Sequence, residues 1–148
     1  MVWRRAAIVD SANRAREHRA LRTMFEARKR VFIDLLKWDL PALAGRFELD
    51  QFDDEHAVYL IVTDEEAQHL ASARLLPTTR PALLDSLFPG LVAGEIPQGP
   101  EVFEITRFCL APGIGASGRR AARDTLLAGL VDFALASRIH SYTGVADL

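Results

Sequence analysis

A single cysteine, Cys109, stands among the 148 residues, which excludes an intrachain disulfide or a cysteine-cluster metal site and fits a reducing compartment. Long apolar runs are missing too. No stretch approaches the roughly 18 to 20 uncharged residues that cross a bilayer. The opening MVWRRAAIVDSANRARE lacks the continuous apolar segment of a signal peptide, so the sequence reads as a cytoplasmic protein that meets no membrane. Charge of one sign is not in excess either: a net charge of −2 gives no global reason to expect nucleic-acid binding. Internal repeats and low-complexity tracts are absent. What remains, 49% hydrophobic and 26% charged residues, is the make-up of a chain that folds around one core, at a length that suits a single domain.

Apolar residues Leu21, Met24, Phe25, Phe32, Leu35 and Leu36 recur at helical spacing, which predicts one amphipathic helix over residues 12–36 with a break near its middle. The following KWDLPALAGRFELDQFDDE loses periodicity at Pro41 and Gly45 and gathers acidic residues, the pattern of an irregular functional loop. HAVYLIVT and HLASARLLP, separated by DEEAQ, read as a β-hairpin over residues 56–63 and 69–77. A proline-rich connection with one short helical turn in ALLDSLF leads to a strand over 101–110. APGIGASG then opens a helix over 119–137 with Ser117 as its N-cap, and HSYTGV begins another strand. This order gives an α/β or α+β domain with a largely antiparallel sheet.

Four features carry possible chemistry. Arg28 lies on the apolar stripe of the first helix; either its stem covers apolar surface while its head reaches water, or it forms a partly buried ion pair with Asp50 and Asp53. Arg74 shares a strand face with Ser72 and Leu76 and, in a cleft, would hold an acidic residue or a substrate carboxylate bidentately. Glu104 and Arg107 are three apart in the most hydrophobic strand, so a regular strand would point them to opposite faces. A β-bulge between them would re-aim one, and regular pairing through Ile105 and Thr106 would refute it. Arg119, Arg120 and Arg123 crowd the start of the late helix, where the macrodipole disfavours positive charge; an anionic partner would relieve this, while the plain reading is a solvated charged face.

Other signals lead nowhere specific. DQFDDE lacks the glycine and ligand spacing of a calcium loop, and His18, His56, His69 and His140 are too scattered for zinc, so no metal is expected. GIGASG fits a dinucleotide-binding glycine pattern between strand and helix, but the acidic residue that should follow is missing.

The blocks MFEARKRVFIDLLKWDLP, ELDQFDDEHAVYLIV, ASARLLPTTRPALL and EVFEITRF resemble, in order and spacing, the signature blocks of acyl-homoserine-lactone synthases, the autoinducer synthases of quorum sensing. The matching positions are Arg28, Phe32, Trp38, Asp50, Asp53, Arg74, Glu104 and Arg107. The resemblance implies a fold like the GNAT N-acyltransferases, with a mixed, mostly antiparallel splayed sheet flanked by helices. It implies S-adenosylmethionine as a substrate rather than a cofactor, and an acyl carrier protein, or an acyl-coenzyme A, as acyl donor. Glu104 would take the proton from the substrate amine, or else serve as salt-bridge partner to Arg74 or Arg107. Arg107 would fix strand and substrate. Phe32 and Trp38 would wall the adenosyl sulfonium, with Arg28, Asp50, Asp53 and Arg74 as an electrostatic cluster beneath it. Thr143 falls where some members carry a threonine linked to 3-oxoacyl chains, and Arg119, Arg120 and Arg123 would face the carrier. Family members continue past the equivalent of Leu148, so the domain expected over 1–148 lacks its C-terminal strands and helix, and an inactive fragment is a rival reading. Another is a coenzyme-A acetyltransferase, which Leu110 disfavours because that loop usually carries Gln or Arg there.

Overall fold

The computed structural model describes residues 5–146; the first four and last two positions of the expected domain lie outside the described residues. Five strands form one sheet in the order β1–β4–β5–β6–β7, with β1 Ala7–Val9, β4 Val58–Thr63, β5 His69–Pro77, β6 Val102–Leu110 and β7 Ser141–Gly144. The first three pairings are antiparallel, and β6 pairs with β7 in parallel, with Glu104 opposite Thr143. The fold is the expected GNAT-like α+β one. Among the described residues no helix is long and apolar enough to cross a membrane.

Period-2 alternation sorts the two faces of the sheet. On one face Tyr59, Ile61 and Leu76 pack with Leu21 and Met24 of α1 His18–Arg28. On the other, Leu60, Val62, Ala73 and Leu75 pack with Leu126, Leu130 and Phe133 of α3 Gly115–Ser137. Gly129 of α3 is needed by close approach: a Cβ there would stand 2.7 Å from the Ala6 methyl carbon.

Several boundaries differ from the sequence reading for identifiable reasons. The first helix starts at His18 rather than at residue 12, because Asp10 and Asn13 tie the backbone into a turn: Asn13 Oδ1 accepts from the Asp10 N–H and Asn13 Nδ2 donates to the Ile8 carbonyl. Its expected break is a change of winding, α1 widening into a π-helical turn over Lys29–Leu35. The acidic connection contains a small hairpin, β2 Ala42–Leu43 with β3 Phe47–Glu48. The late helix begins at Gly115, so Ser117 lies inside its first turn and does not cap it; Gly113 (φ +81°) and Gly115 (φ +73°) make the left-handed turns into it.

Candidate active site

The acidic segment folds on itself before it meets the sheet. Asp50 Oδ1 accepts from the Phe52 N–H, Asp53 Oδ2 accepts from the Asp50 N–H, and the Asp53 N–H donates to the Asp50 carbonyl. Side-chain oxygens two or three residues from their partner amides favour this tight turn over helix or strand. Both carboxylates are thereby aimed at the sheet.

Three arginines receive them, Arg28 and Arg74 buried and Arg107 with its side chain largely covered. Arg28, only 1% exposed, donates from Nη1 and Nη2 to Asp53 at 2.8 and 2.9 Å and from Nε to Glu48 Oε1 at 2.8 Å. Arg74 grips Asp50 through Nη1 and Nη2 at 2.6 and 3.2 Å, holds the Thr106 hydroxyl with Nε, and stands 3.1 Å from Asp53. Arg107 donates from Nε to the same Glu48 oxygen at 2.8 Å and from Nη2 to Asp50 at 3.0 Å. Arg28 is therefore buried and ion-paired, and of its two expected partners it takes Asp53 alone; Asp50 serves Arg74 and Arg107 instead. Glu48 was not foreseen. It is fully buried and joins the first helix to β6, and nothing in the acidic run of the sequence sets it apart from its neighbours.

Burial by itself would raise the Asp53 carboxyl, but the hydrogen bonds and charge of Arg28, the charge of Arg74 and the Asp50 N–H outweigh it and hold Asp53 well below the ordinary carboxylate range. The same competition leaves Arg28 more firmly protonated than usual: burial opposes the charge, and Asp53 and Glu48 overcome it. Tyr59, whose hydroxyl donates to Asp53 at 2.7 Å, is pushed up first by burial and then by that anion. Glu48, Asp50 and Asp53 offer oxygens within 4.8 Å of one another, as a cation site would, but the guanidiniums bond to those oxygens.

The bulge lies one step later than expected. Arg74 pairs with Thr106, Leu75 with Ile105 and Leu76 with Glu104, so β6 is regular between Glu104 and Thr106, which overturns the predicted placement. The register slips next: Ser72 pairs with Cys109, leaving Arg107 and Phe108 together opposite Ala73. Arg107 takes a left-handed conformation, φ +49°, which characterises the first residue of one bulge type. That conformation turns Arg107 onto the same face as Glu104 and Thr106, where it reaches Glu48 and Asp50.

Glu104 is 1% exposed and does not pair with Arg74 or Arg107. Its carboxylate oxygens each accept one backbone N–H, from Leu83 and Leu84 at 2.9 Å, at the start of the short helix α2 Leu83–Ser86. Free amides at a helix start are natural partners for an anion. This partner set could not be read from the sequence, because the receiving groups are main-chain.

A cavity of about 630 Å³ opens over this floor, lined by Trp38, Asp50, Gln51, Glu104, Thr106 and Arg107 on its polar side and by Leu40, Leu83, Leu87, Phe88, Leu91 and Val145 on its apolar side. Phe32 and Trp38 stack at 4.8 Å, and the Arg107 guanidinium sits 5.7 and 6.0 Å from their ring centres. Phe32 is buried behind Trp38, which faces the cavity. The Thr143 hydroxyl is buried beside the Glu104 strand without a hydrogen-bond partner. The three arginines of α3 stand apart from the cavity: Arg119 donates to the Ala111 carbonyl, Arg123 pairs with Asp124, and Arg120 is exposed.

The model of the autoinducer synthase family matches residues 12–148. An acyl-homoserine-lactone synthase of Rhizobium etli is 38% identical over 135 residues, covering 89% of this chain and 63% of the relative. One of Ralstonia nicotianae is 43% identical over 98 residues, 65% of this chain and 47% of the relative. The chain thus spans about half to two-thirds of the length of these curated relatives. Among solved structures, a CoA-dependent acyl-homoserine lactone synthase, BjaI, with SAM and isopentyl-CoA superposes with a TM-score of 0.86 at 26% identity, over 98% of this chain and 67% of the other. TofI in a ternary complex with an inhibitor and MTA superposes with a TM-score of 0.74 at 29% identity, over 95% and 71%.

Proposed function

The chain belongs to the autoinducer synthase family, and from that membership we propose that it carries out acyl-homoserine-lactone synthesis: N-acylation of S-adenosylmethionine by an acyl thioester, followed by lactone closure. The observation that carries this reading is the cavity itself, where an aromatic face, a buried carboxylate and an apolar wall converge over an arginine–carboxylate floor.

An α-ammonium has a reference pKa of roughly 8, so much of it is protonated at neutral pH and cannot attack a thioester. Glu104 takes that proton, directly or through a water molecule. The freed amine attacks the thioester carbonyl and the thiol leaves. The methionine carboxylate then attacks its own γ-carbon, the C–S bond breaks, and methylthioadenosine departs as the lactone closes. Trp38, backed by Phe32, offers a π face to the sulfonium. Arg107 orients the substrate, and Arg28, Arg74, Glu48, Asp50 and Asp53 hold Arg107 and the cavity floor rigid. S-adenosylmethionine is consumed, so the scheme uses it as a substrate and calls on no cofactor.

The acyl donor in this reading is a coenzyme A thioester or an acylated carrier protein. The apolar side formed by Leu87, Phe88 and Leu91 suits an acyl chain, and Thr143, opposite Glu104 on the neighbouring strand, is the proposed determinant for 3-oxoacyl chains. Arg119, Arg120 and Arg123 are proposed to meet the donor's anionic phosphate or carrier surface, with the reaction taking place in the cytoplasm. The test is incubation of the chain with S-adenosylmethionine and a panel of acyl-coenzyme A and acyl-carrier substrates, with mass spectrometry for acyl-homoserine lactone and methylthioadenosine in equal amounts. Acylation of an unrelated amine without methylthioadenosine, or a folded protein with no turnover on any donor, would overturn the reading.

A further inference from the structure

The segment between β5 and β6 is a loop drawn closed at its base. The Thr78 hydroxyl accepts from the Gly99 N–H at 3.0 Å and donates to the Val102 carbonyl at 2.7 Å. Within the loop, α2 presents three successive main-chain N–H groups, those of Ala82, Leu83 and Leu84, and two carboxylates divide them. Asp85 Oδ1 takes the first at 2.7 Å, and Glu104 takes the other two. Among the described residues Glu104 has no further hydrogen-bond partner. The aim of this buried carboxylate therefore depends on where the turn carrying Leu83 and Leu84 is held.

A helix of four residues does not hold itself, because a single turn fixes many backbone angles for few hydrogen bonds. Asp85 supplies the missing constraint. Its Oδ1 fastens the N–H at the start of the turn, and the Ser86 hydroxyl also donates to that oxygen at 3.2 Å. Its Oδ2 accepts from Gln98 Nε2 at 3.2 Å, thirteen residues onward, so the turn is strutted against the opposite limb of the loop. Asp85 and Gln98 both border a gap of about 10 Å³, too small for any substrate, which Glu104 lines as well. Neither of them lines the large cavity, whereas Glu104 does. Asp85 thus stands behind Glu104, on the side away from the substrates.

We propose that Asp85 is a positioning residue for the acyl transfer, strutted by Gln98, which aims the Leu83 and Leu84 amides and through them sets the orientation of Glu104 toward the substrate amine. The proposal rests on the reading of Glu104 as proton acceptor. A reacting group displaced by about 1 Å can cost a hundredfold in rate, while a residue that touches no substrate leaves binding alone.

Steady-state kinetics with S-adenosylmethionine and the best acyl-coenzyme A of the panel test the role. Asp85→Ala should lower kcat at least about tenfold and leave the KM for S-adenosylmethionine within about twofold. Asp85→Asn should restore kcat to within about threefold of the wild type, since its oxygen still accepts from the Ala82 N–H and its NH₂ can meet the Gln98 amide oxygen. Gln98→Ala, at an exposed position that leaves folding intact, should lower kcat at least about twofold without moving KM. Unchanged kcat in Asp85→Ala and Gln98→Ala, a loss carried by KM, or an Asn variant no better than the Ala variant would overturn the proposal. Hydrogen exchange reads the geometry without turnover: the Leu83 and Leu84 amides should exchange at least about tenfold faster in Asp85→Ala and near the wild-type rate in Asp85→Asn. A wild type that folds but makes no product would sink the functional reading, and exchange would still decide whether Asp85 aims the amides; unchanged exchange in Asp85→Ala would show that it does not.

Discussion

In the proposed mechanism Glu104 bears two tasks on one carboxylate, and a single substitution disturbs both, each with its own readout. Glu104→Gln keeps the size but removes the basic oxygen, and under the proposed mechanism turnover falls about 10²–10⁴-fold while the KM for S-adenosylmethionine changes little. The same substitution sets an NH₂ against the Leu83 or Leu84 N–H, so amide exchange at the start of α2 should quicken. Steady-state kinetics and hydrogen exchange on one variant report both, and wild-type turnover would remove Glu104 from proton transfer. His69 governs a different response. It is buried with Nε2 2.7 Å from the Ser72 hydroxyl and Nδ1 unpartnered, and burial, helped by the charge of Arg30, lowers its pKa from 6.5 to about 4. Between those values the unfolded chain binds more protons than the folded one, so stability falls as pH drops through that window and levels off below it. A shift of this size corresponds to about 3 kcal/mol. Melting temperatures between pH 7 and pH 4.5 should decline in the wild type and decline less in His69→Gln. Arg28 and Arg74 were legible as exceptional from the sequence because a guanidinium on an apolar stripe needs a reason. Glu48 was not, since a carboxylate inside an acidic loop looks like its exposed neighbours until the fold buries it.

At the scale of elements, helices and strands followed from periodicity, while their ends followed from contacts that periodicity does not encode. Strands β4 and β6 were plain in their β-branched and aromatic residues, and β5 in its apolar run a short polar turn after β4. The start of α1 depended on the Asp10–Asn13 turn, and the start of α3 on two glycines with positive φ. The bulge is the instructive case. Its need was readable from the three-residue interval between Glu104 and Arg107, but its position depends on which residue accepts a left-handed backbone, and that is settled by the ion pairs waiting for Arg107. Gly129 tests how closely α3 must approach β1. Gly129→Ala places a methyl 2.7 Å from that of Ala6 and should destabilise the fold by about 1–3 kcal/mol, and Ala6→Gly in the same chain should return most of the loss. Denaturant titrations of the single and double variants measure the coupling, and additive losses would show that the two atoms do not oppose each other.

Over the whole molecule, the arginine–carboxylate floor is the feature that ties separate regions together. Asp53→Asn should cost about 3–5 kcal/mol, because Arg28 keeps its charge in a buried place with half its partners gone. Added salt should barely change this loss, since the pair is not exposed to screening. The acid response separates the floor from His69: the Asp53 contribution is full above the ordinary carboxylate range and disappears only as pH falls through its much lower folded-state value. The residues of the floor are drawn from positions 28, 48, 50, 53, 74 and 107, so closing it joins segments nearly eighty residues apart along the chain. Contacts of such long sequence separation form only after much chain entropy has been lost, which places the floor among the last parts to assemble. Asp53→Asn should therefore leave the refolding rate close to that of the wild type and put most of its effect into faster unfolding, as stopped-flow measurements would show. The floor would then act as a latch on lifetime: it governs how long the folded molecule persists, and has little say in how soon it forms.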